Sequence, residues 1–294
     1  MKCIFMYNPN SGKGKIVRKL DLIETTLKSK YKEVTMYATK SGLDTREVAY
    51  ESCTKYDAII FSGGDGTFNE VLTGVSKQDI RPILGYIPSG TVNDIARNLG
   101  IPRNIKKALK IILEDNIINH DVGKVNDRYF MYVCAMGTFT GVSYRTKQHV
   151  KKRLGKLAYA LDGIKDIIKP KLSKIVIETK NQSLEAKFPL ILILNSVTVG
   201  GFKVNKWGHL NDGTFDVILI KNDISKGLFN ILKLFIFGVR KKSDCKHFTY
   251  VRSSEFDIKV DSDSQWCLDG EAGPNGSIII KNLHNHLKIY APMK

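Results

Sequence analysis

Hydrophobic and polar positions follow two different rhythms along the chain. In the first 120 residues, short apolar-rich runs at 2–7, 33–39, 57–62 and 83–87 have the length of buried strands. Between them lie stretches at 16–30, 43–54, 67–75, 94–99 and 105–113 whose spacing suits helices. Strands alternating with helices at short spacing predict a parallel sheet covered by helices on both faces. A further apolar run at 117–125 carries His120 and Asp121. Beyond Asp127 the rhythm changes: strand-like runs at 129–134, 174–179, 184–194, 215–221, 256–260 and 277–280 are separated by Asn, Gly and Asp turns. Helical stretches intervene only near 142–168 and 224–239, so this half reads as mostly antiparallel and sandwich-like.

The chemistry-bearing residues fall where strands end. The run Ile59 to Glu70, IIFSGGDGTFNE, passes from a strand through a glycine turn into a helix. Gly63, Gly64 and Gly66 allow a close approach of backbone or phosphate, and the helix start offers main-chain N–H groups to an anion. Asp65 stands in the middle of that turn, which makes sense if a divalent cation or a donor arrives with the ligand, as in a Mg²⁺-nucleotide. The same stretch also reads as a plain strand-to-helix turn with Asp65 as the cap. It is neither a Walker loop nor a Rossmann fingerprint. A second glycine turn, Pro88 to Asp94, repeats the arrangement, with Asp94 either joining the same site or capping the next helix. Asn8-Pro9-Asn10-Ser11-Gly12 closes the first strand and Thr39 ends the second, and ligands of parallel sheets bind beyond the carboxyl ends of the strands. Asp121 is either a salt-bridged strand end or part of the site.

Two constellations occur in the second half. His209 to Thr214 is a turn with one firm carboxylate, Asp212, which by default is only a turn but has the make-up of a hard-cation loop. Leu268-Asp269-Gly270-Glu271 follows a strand containing Trp266, and its glycine leaves the chain free to aim one acid into a cleft.

Composition narrows the partners. The 294 residues carry 46 Lys and Arg against 29 Asp and Glu, a formal charge of +17 that favours encounter with polyanions such as nucleotides or an anionic membrane face. Basic residues cluster at Lys147, Lys151, Lys152, Arg153 and Lys156, and again at Arg240, Lys241, Lys242, Lys246 and His247 directly after the apolar stretch 228–239. A greasy helix beside a cationic run suits peripheral contact with anionic lipid, although a core helix followed by a solvated loop has the same pattern. No nucleic-acid-reading motif occurs. Five cysteines without paired spacing predict reduced thiols in a cytoplasmic protein. No apolar run reaches the ~18–20 residues that span a bilayer.

GGDGT followed by NE is similar to the phosphate-binding signature shared by diacylglycerol kinases, sphingosine kinases, NAD kinases and phosphofructokinases. Together with NPNSGK, GTVND, NDG and LDGE, in that order over nearly the whole chain, it resembles the bacterial soluble diacylglycerol kinases and related lipid kinases. The resemblance implies an α/β ATP-binding domain at 1–123, joined by a returning segment at 287–294, and a β-rich lipid-substrate domain at 124–286. It implies transfer of the γ-phosphoryl of ATP to a lipid hydroxyl, with Mg²⁺ as cofactor and a homodimer at the inner face of the membrane. Asn8, Pro9, Asn10, Ser11, Gly12, Thr39, Gly64, Asp65, Gly66, Thr67, Phe68, Asn69, Glu70 and Thr91 would bind the nucleotide. Asp65 and Asp94 would organise the catalytic Mg²⁺ or the phosphate environment, Asp121 would belong to the site, and Glu271 would be the base acting on the acceptor. A structural Mg²⁺ would be held by Asp212 with main-chain oxygens of His209 and Thr214. The acceptor stays open between diacylglycerol, phosphatidylglycerol, a sphingoid base and NAD, and a catalytically silent membrane-surface protein is the rival of another class.

Overall fold

The computed structural model describes residues 1–9, 14, 16–137, 173–221, 233–239 and 248–293. Their contacts divide into two compact units, Met1–Asp121 with Asn285–Lys294, and Val122–His284.

In the first unit the chain runs β1 (Lys2–Tyr7), α1 (Leu20–Lys28), β2 (Glu33–Ala38), α2 (Gly42–Ser52), β3 (Ala58–Gly63), α3 (Asp65–Val75), β4 (Ile83–Pro88), α4 (Asp94–Leu99) and α5 (Ile105–Leu113). The strands are parallel in the order β2-β1-β3-β4. Every residue of β3 is buried, as a strand covered on both faces must be, and Phe61 on it stacks with Tyr86 and meets Phe68 edge-on. Helix starts follow local chemistry: the Ser41 hydroxyl accepts from Asp44 N–H ahead of α2, and Asn104 Oδ1 accepts from Lys107 N–H ahead of α5. Helices α2 and α3 pack so closely that a Cβ on Gly74 would lie 2.4 Å from the Arg46 carbonyl. The returning end of the chain is tied in by a buried bond between Tyr31 and Tyr290 hydroxyls.

The remaining strands are β5 (Ile117–Val125), β6 (Arg128–Phe130), β7 (Val133–Gly137), β8 (Ser173–Glu178), β9 (Ser183–Phe188), β10 (Leu190–Leu194), β11 (Thr198–Val199), β12 (Phe202–Lys203), β13 (Phe215–Ile220), β14 (Phe248–Ser253), β15 (Glu255–Lys259), β16 (Gln265–Leu268), β17 (Glu271–Asn275) and β18 (Ile278–Tyr290). In the second unit β14-β13-β10-β7-β16-β17 form an antiparallel sheet, and β18, β15, β8 and β9 lie side by side in another. Phe215, Ile193 and Trp266 from the first of these sheets share one core with Phe256, Ile177 and Ile280 from the second, which makes the unit a sandwich. Among the described residues no helix is long and apolar enough to cross a membrane.

The expected elements are present with instructive shifts. The run 184–194 divides at Pro189 into strands of different sheets, because a proline cannot donate to a ladder. The run 129–134 divides at Met131 and Tyr132, whose amides donate to a side chain instead of a neighbouring strand. Helix α3 begins at Asp65 rather than Thr67, with Gly64 as its N-cap. Strands β14 and β17 were not legible, the latter because EAGPN carries both Gly and Pro. The helix expected at 142–168 lies outside the described residues, as do residues 224–232 of the one expected at 224–239, whose part at 233–237 is helical, and Asn10, Ser11, Gly12, the two basic clusters and Cys245. Cys3, Cys53, Cys134 and Cys267 are buried and form no disulfide among the described residues.

Candidate active site

Two glycine turns close against each other where β3 and β4 end. Ser89 N–H donates to the Gly63 carbonyl at 2.8 Å, and Tyr86 O–H donates to the same oxygen at 3.1 Å. Side chains are excluded from this junction: a Cβ on Gly90 would lie 2.5 Å from Gly64 Cα, and one on Gly63 would lie 2.3 Å from the Thr67 side chain. The pattern GG…SG thus brings two backbones together and leaves the start of α3 uncovered by side chains. Phe68 N–H makes the first intrahelical bond, to the Gly64 carbonyl, so the N–H groups of Asp65, Gly66 and Thr67 are those an α-helix leaves for another acceptor. This is a cradle for an anion at a helix's positive end.

Asp65 does not cap its own helix. Its carboxylate reaches the next one, accepting from Asp94 N–H at 3.2 Å and Ile95 N–H at 3.1 Å at the start of α4. Burial raises its pKa above the ordinary carboxylate value, while the amides of Ile95, Asp94 and Asn93 and the Arg97 charge pull the other way. Asp94, almost fully buried, is paired through Oδ1 with Arg97 Nη1 at 2.6 Å. The left-handed backbone at Asn93, φ 55°, sets up this turn, and Asn93 Nδ2 donates to the Gly90 carbonyl. Arg103 donates to the carbonyls of Thr91 and Val92. Beside the turn is a hollow of about 210 Å³ lined by Val92, Asn93, Ala96, Arg97, Ile101 and Arg103. The sequence reading named neither arginine; the spacing of Arg97, three after Asp94, could have flagged it, and nothing local pointed to Arg103.

The other expected nucleotide residues occupy distinct places. Asn8 and Pro9 follow β1, half-buried, and Thr91 is exposed. Thr39 knits β2 to β1 through its N–H and hydroxyl, both on the Tyr7 carbonyl. Asn69 and Glu70 lie on α3, where Glu70 is paired with Arg46 Nε at 2.8 Å. Phe68 is fully buried among Phe61 and Tyr86, which puts its ring in the core beneath the cradle rather than in it. Asp121 is likewise fully buried, its Oδ1 accepting from Asn285 N–H at 2.7 Å, where the backbone turns left-handed at φ 51°. Asp121 therefore holds the returning strand.

In the second unit LDGE is a two-residue hairpin joining β16 to β17, with positive φ at both Asp269 (51°) and Gly270 (89°), the geometry of a type I′ turn. Its acids part company. Asp269 is buried and accepts from the amides of Met131 at 2.5 Å and of Tyr132 and Val133 at 3.0 Å. Glu271 is exposed at the start of β17. The acid turned inward is thus the structural one, a role the sequence reading did not assign.

In the Asp212 turn the carboxylate is held by side-chain and main-chain donors. Thr214 N–H and O–H both donate to Asp212 Oδ1, and the Arg252 guanidinium sits on Oδ2. Arg252 is held there by the strand register, which pairs it with Asp216, and its Nε lies 3.6 Å from Asp216 Oδ1. Both oxygens of this carboxylate thus carry donors, with the Arg252 charge against one of them. His209 is exposed nearby. Among the described residues no three His, Cys, Asp or Glu side chains form a group that could hold a metal.

Comparison with known proteins agrees with this geometry. Residues 2–125 match the family model of the diacylglycerol kinase catalytic domain. The chain is 34% identical to a diacylglycerol kinase of Staphylococcus saprophyticus over 98% of its own length and 94% of the relative's. It is also 34% identical to one of Staphylococcus aureus strain MRSA252, over 98% and 91%. Among solved structures it superposes on a Bacillus anthracis str. Sterne protein of provisional diacylglycerol-kinase designation, with TM-score 0.86, 26% identity and coverage of 99% and 97%. The anion cradle, the paired acidic turns and these relatives lead to one conclusion: the chain belongs to the diacylglycerol kinase family and is a kinase-type phosphotransferase.

Proposed function

We propose that this lipid kinase transfers the γ-phosphoryl group of ATP to the hydroxyl of diacylglycerol, giving phosphatidic acid, and that it works at the cytoplasmic face of the membrane. The observation that carries the reading is the cradle at the start of α3, where Gly63 and Gly90 leave no room for a Cβ and three main-chain N–H groups precede the first helical bond. Phosphates of a nucleotide fit such a cradle, and Arg97 and Arg103 at the neighbouring hollow add positive charge.

Phosphoryl transfer asks mainly for positioning and for neutralisation of phosphate charge. The amides of Asp65, Gly66 and Thr67 supply fixed donors for phosphate oxygens. Mg²⁺ arriving with the nucleotide would supply further neutralisation, and Asp65 would hold it, since each of its two oxygens accepts from an α4 amide and keeps accepting capacity. Asp94, already paired with Arg97, keeps that guanidinium beside the turn. Glu271 is the base: as the acceptor oxygen bonds to the γ-phosphorus and the bond to the ADP oxygen breaks, its carboxylate takes the hydroxyl proton. An alkanol proton leaves late, so an ordinary carboxylate pKa serves.

The test is Mg²⁺-dependent transfer of labelled γ-phosphate from ATP into micelles holding diacylglycerol, phosphatidylglycerol or sphingosine, with Glu271→Ala as control. Label in phosphatidic acid that disappears in the variant is the expected result. Label in another lipid, or none despite ATP binding, overturns the choice of acceptor.

A further inference from the structure

Large apolar side chains are exposed on two adjoining segments of the sandwich unit: Phe202 at 47%, Trp207 at 49%, Ile236 at 59% and Phe237 at 46%. They belong to two segments locked side by side. Val239 N–H donates to the Val204 carbonyl at 2.8 Å, the Phe202 and Phe235 rings meet edge-on at 5.8 Å, and a Cβ on Gly238 would lie 2.4 Å from the Lys203 carbonyl. Leu234 and Val204 anchor this pair of segments from beneath, both fully buried. By contrast, exposed apolar residues of the other unit such as Leu43, Ile80 and Leu113 stand on separate elements.

The same segments are cationic. Lys203 and Lys206 are exposed between the aromatics, Lys233 lies on the second segment, and no Asp or Glu occurs from residue 186 to 211 or from 233 to 239. Aromatic rings interleaved with lysines and free of acids suit the headgroup layer of an anionic bilayer, where Trp and Phe bury their rings and lysines meet lipid phosphates. A protein partner fits less well, since interface cores are depleted in lysine.

We propose that Phe202, Trp207, Ile236 and Phe237 form the surface by which this protein seats itself on an anionic membrane, with Lys203, Lys206 and Lys233 contacting lipid headgroups. The proposal goes beyond the phosphoryl-transfer reading, in which none of these residues takes part. Trp207 reports on it directly: the chain has two tryptophans, and the other, Trp266, is fully buried with its indole N–H on the Gly276 carbonyl.

The experiment mixes the full chain, without ATP, with vesicles of phosphatidylcholine alone or with phosphatidylglycerol, and reads sedimentation and tryptophan emission. Binding to the anionic vesicles with a blue shift, and quenching by brominated lipid, is expected. The double variant Trp207→Gln, Phe237→Ser should bind at least tenfold more weakly with unchanged melting temperature and ATP binding. Each lysine replaced by Gln should weaken binding about fivefold. Vesicle binding with unchanged Trp207 emission, no binding at all, or a shift that grows with protein concentration in the absence of lipid would each overturn the proposal. ATP binding is measured separately, so failure of the kinase reading would leave the vesicle result intact.

Discussion

Asp65 and Asp269 each stand beside a glycine at a turn, and each directs its carboxylate onto main-chain amides, those of Asp94 and Ile95 with that of Asn93 also acting on its charge for Asp65, and those of Met131, Tyr132 and Val133 for Asp269. The surroundings then separate them. Asp65 lies in the first turn of α3, next to helical N–H groups that stay available, and its oxygens each accept from an α4 amide. Asp269 has no helix of its own. Two donors crowd one oxygen and a third takes the other, and the acid left facing solvent is Glu271, two residues on. An acid next to a glycine is therefore first a device for holding backbone. What remains for chemistry depends on how many donors it already satisfies and on which neighbour is left over.

The largest effect that sharpens this contrast is on turnover. Glu271→Gln removes a proton acceptor from an exposed position without touching the hairpin, so the rate should fall about 10²–10⁴-fold while stability stays within about 0.5 kcal/mol. A variant that keeps near wild-type turnover would move the base elsewhere. Next comes stability. Asp269→Ala leaves the amides of Met131, Tyr132 and Val133 without their acceptor in a buried turn, and denaturant unfolding should show a loss of about 3–5 kcal/mol. A loss below about 1 kcal/mol would mean that water replaces the carboxylate and that the two acids of the hairpin are less distinct than their burial suggests.

The same contrast explains what could be read in advance. Both periodicities, the parallel sheet of the first unit and the placing of the glycine turns at strand ends were legible, because strand burial and turn chemistry are local properties of sequence. The partner of each acid was not. Asp65 meets amides 29 and 30 residues away, Asp269 meets amides more than 130 residues away, and Arg252 reaches Asp212 from 40 residues on. Such pairings come from sheet order and register, which no local pattern encodes. Phe68 was read as part of the site for a related reason: it sits inside the motif, but the helical period turns its ring to the core.

The finest distinction concerns the charge on Asp65. An acid whose pKa is higher folded than unfolded binds its proton more tightly in the fold, so its contribution favours folding at low pH and fades as pH rises through the raised value. Burial raises Asp65 in this way above its reference value of 3.8. Wherever the carboxyl is ionised it is a buried charge, which Asp65→Asn would remove. The amide oxygen of the variant still accepts from one α4 N–H, as Asn does well at helix starts, while its NH₂ faces the other. The gain and the loss are of similar size, so melting temperatures at pH 7 should differ by only a few degrees although turnover is lost. On acidification from pH 7 towards 4, wild type should gain stability relative to Asp65→Asn as the carboxyl takes up its proton. Thermal unfolding of both proteins across that range reads the difference directly. A gap that does not change with pH would mean that Asp65 ionises as an ordinary acid, and the two Asp turns would then differ only in the amides they hold.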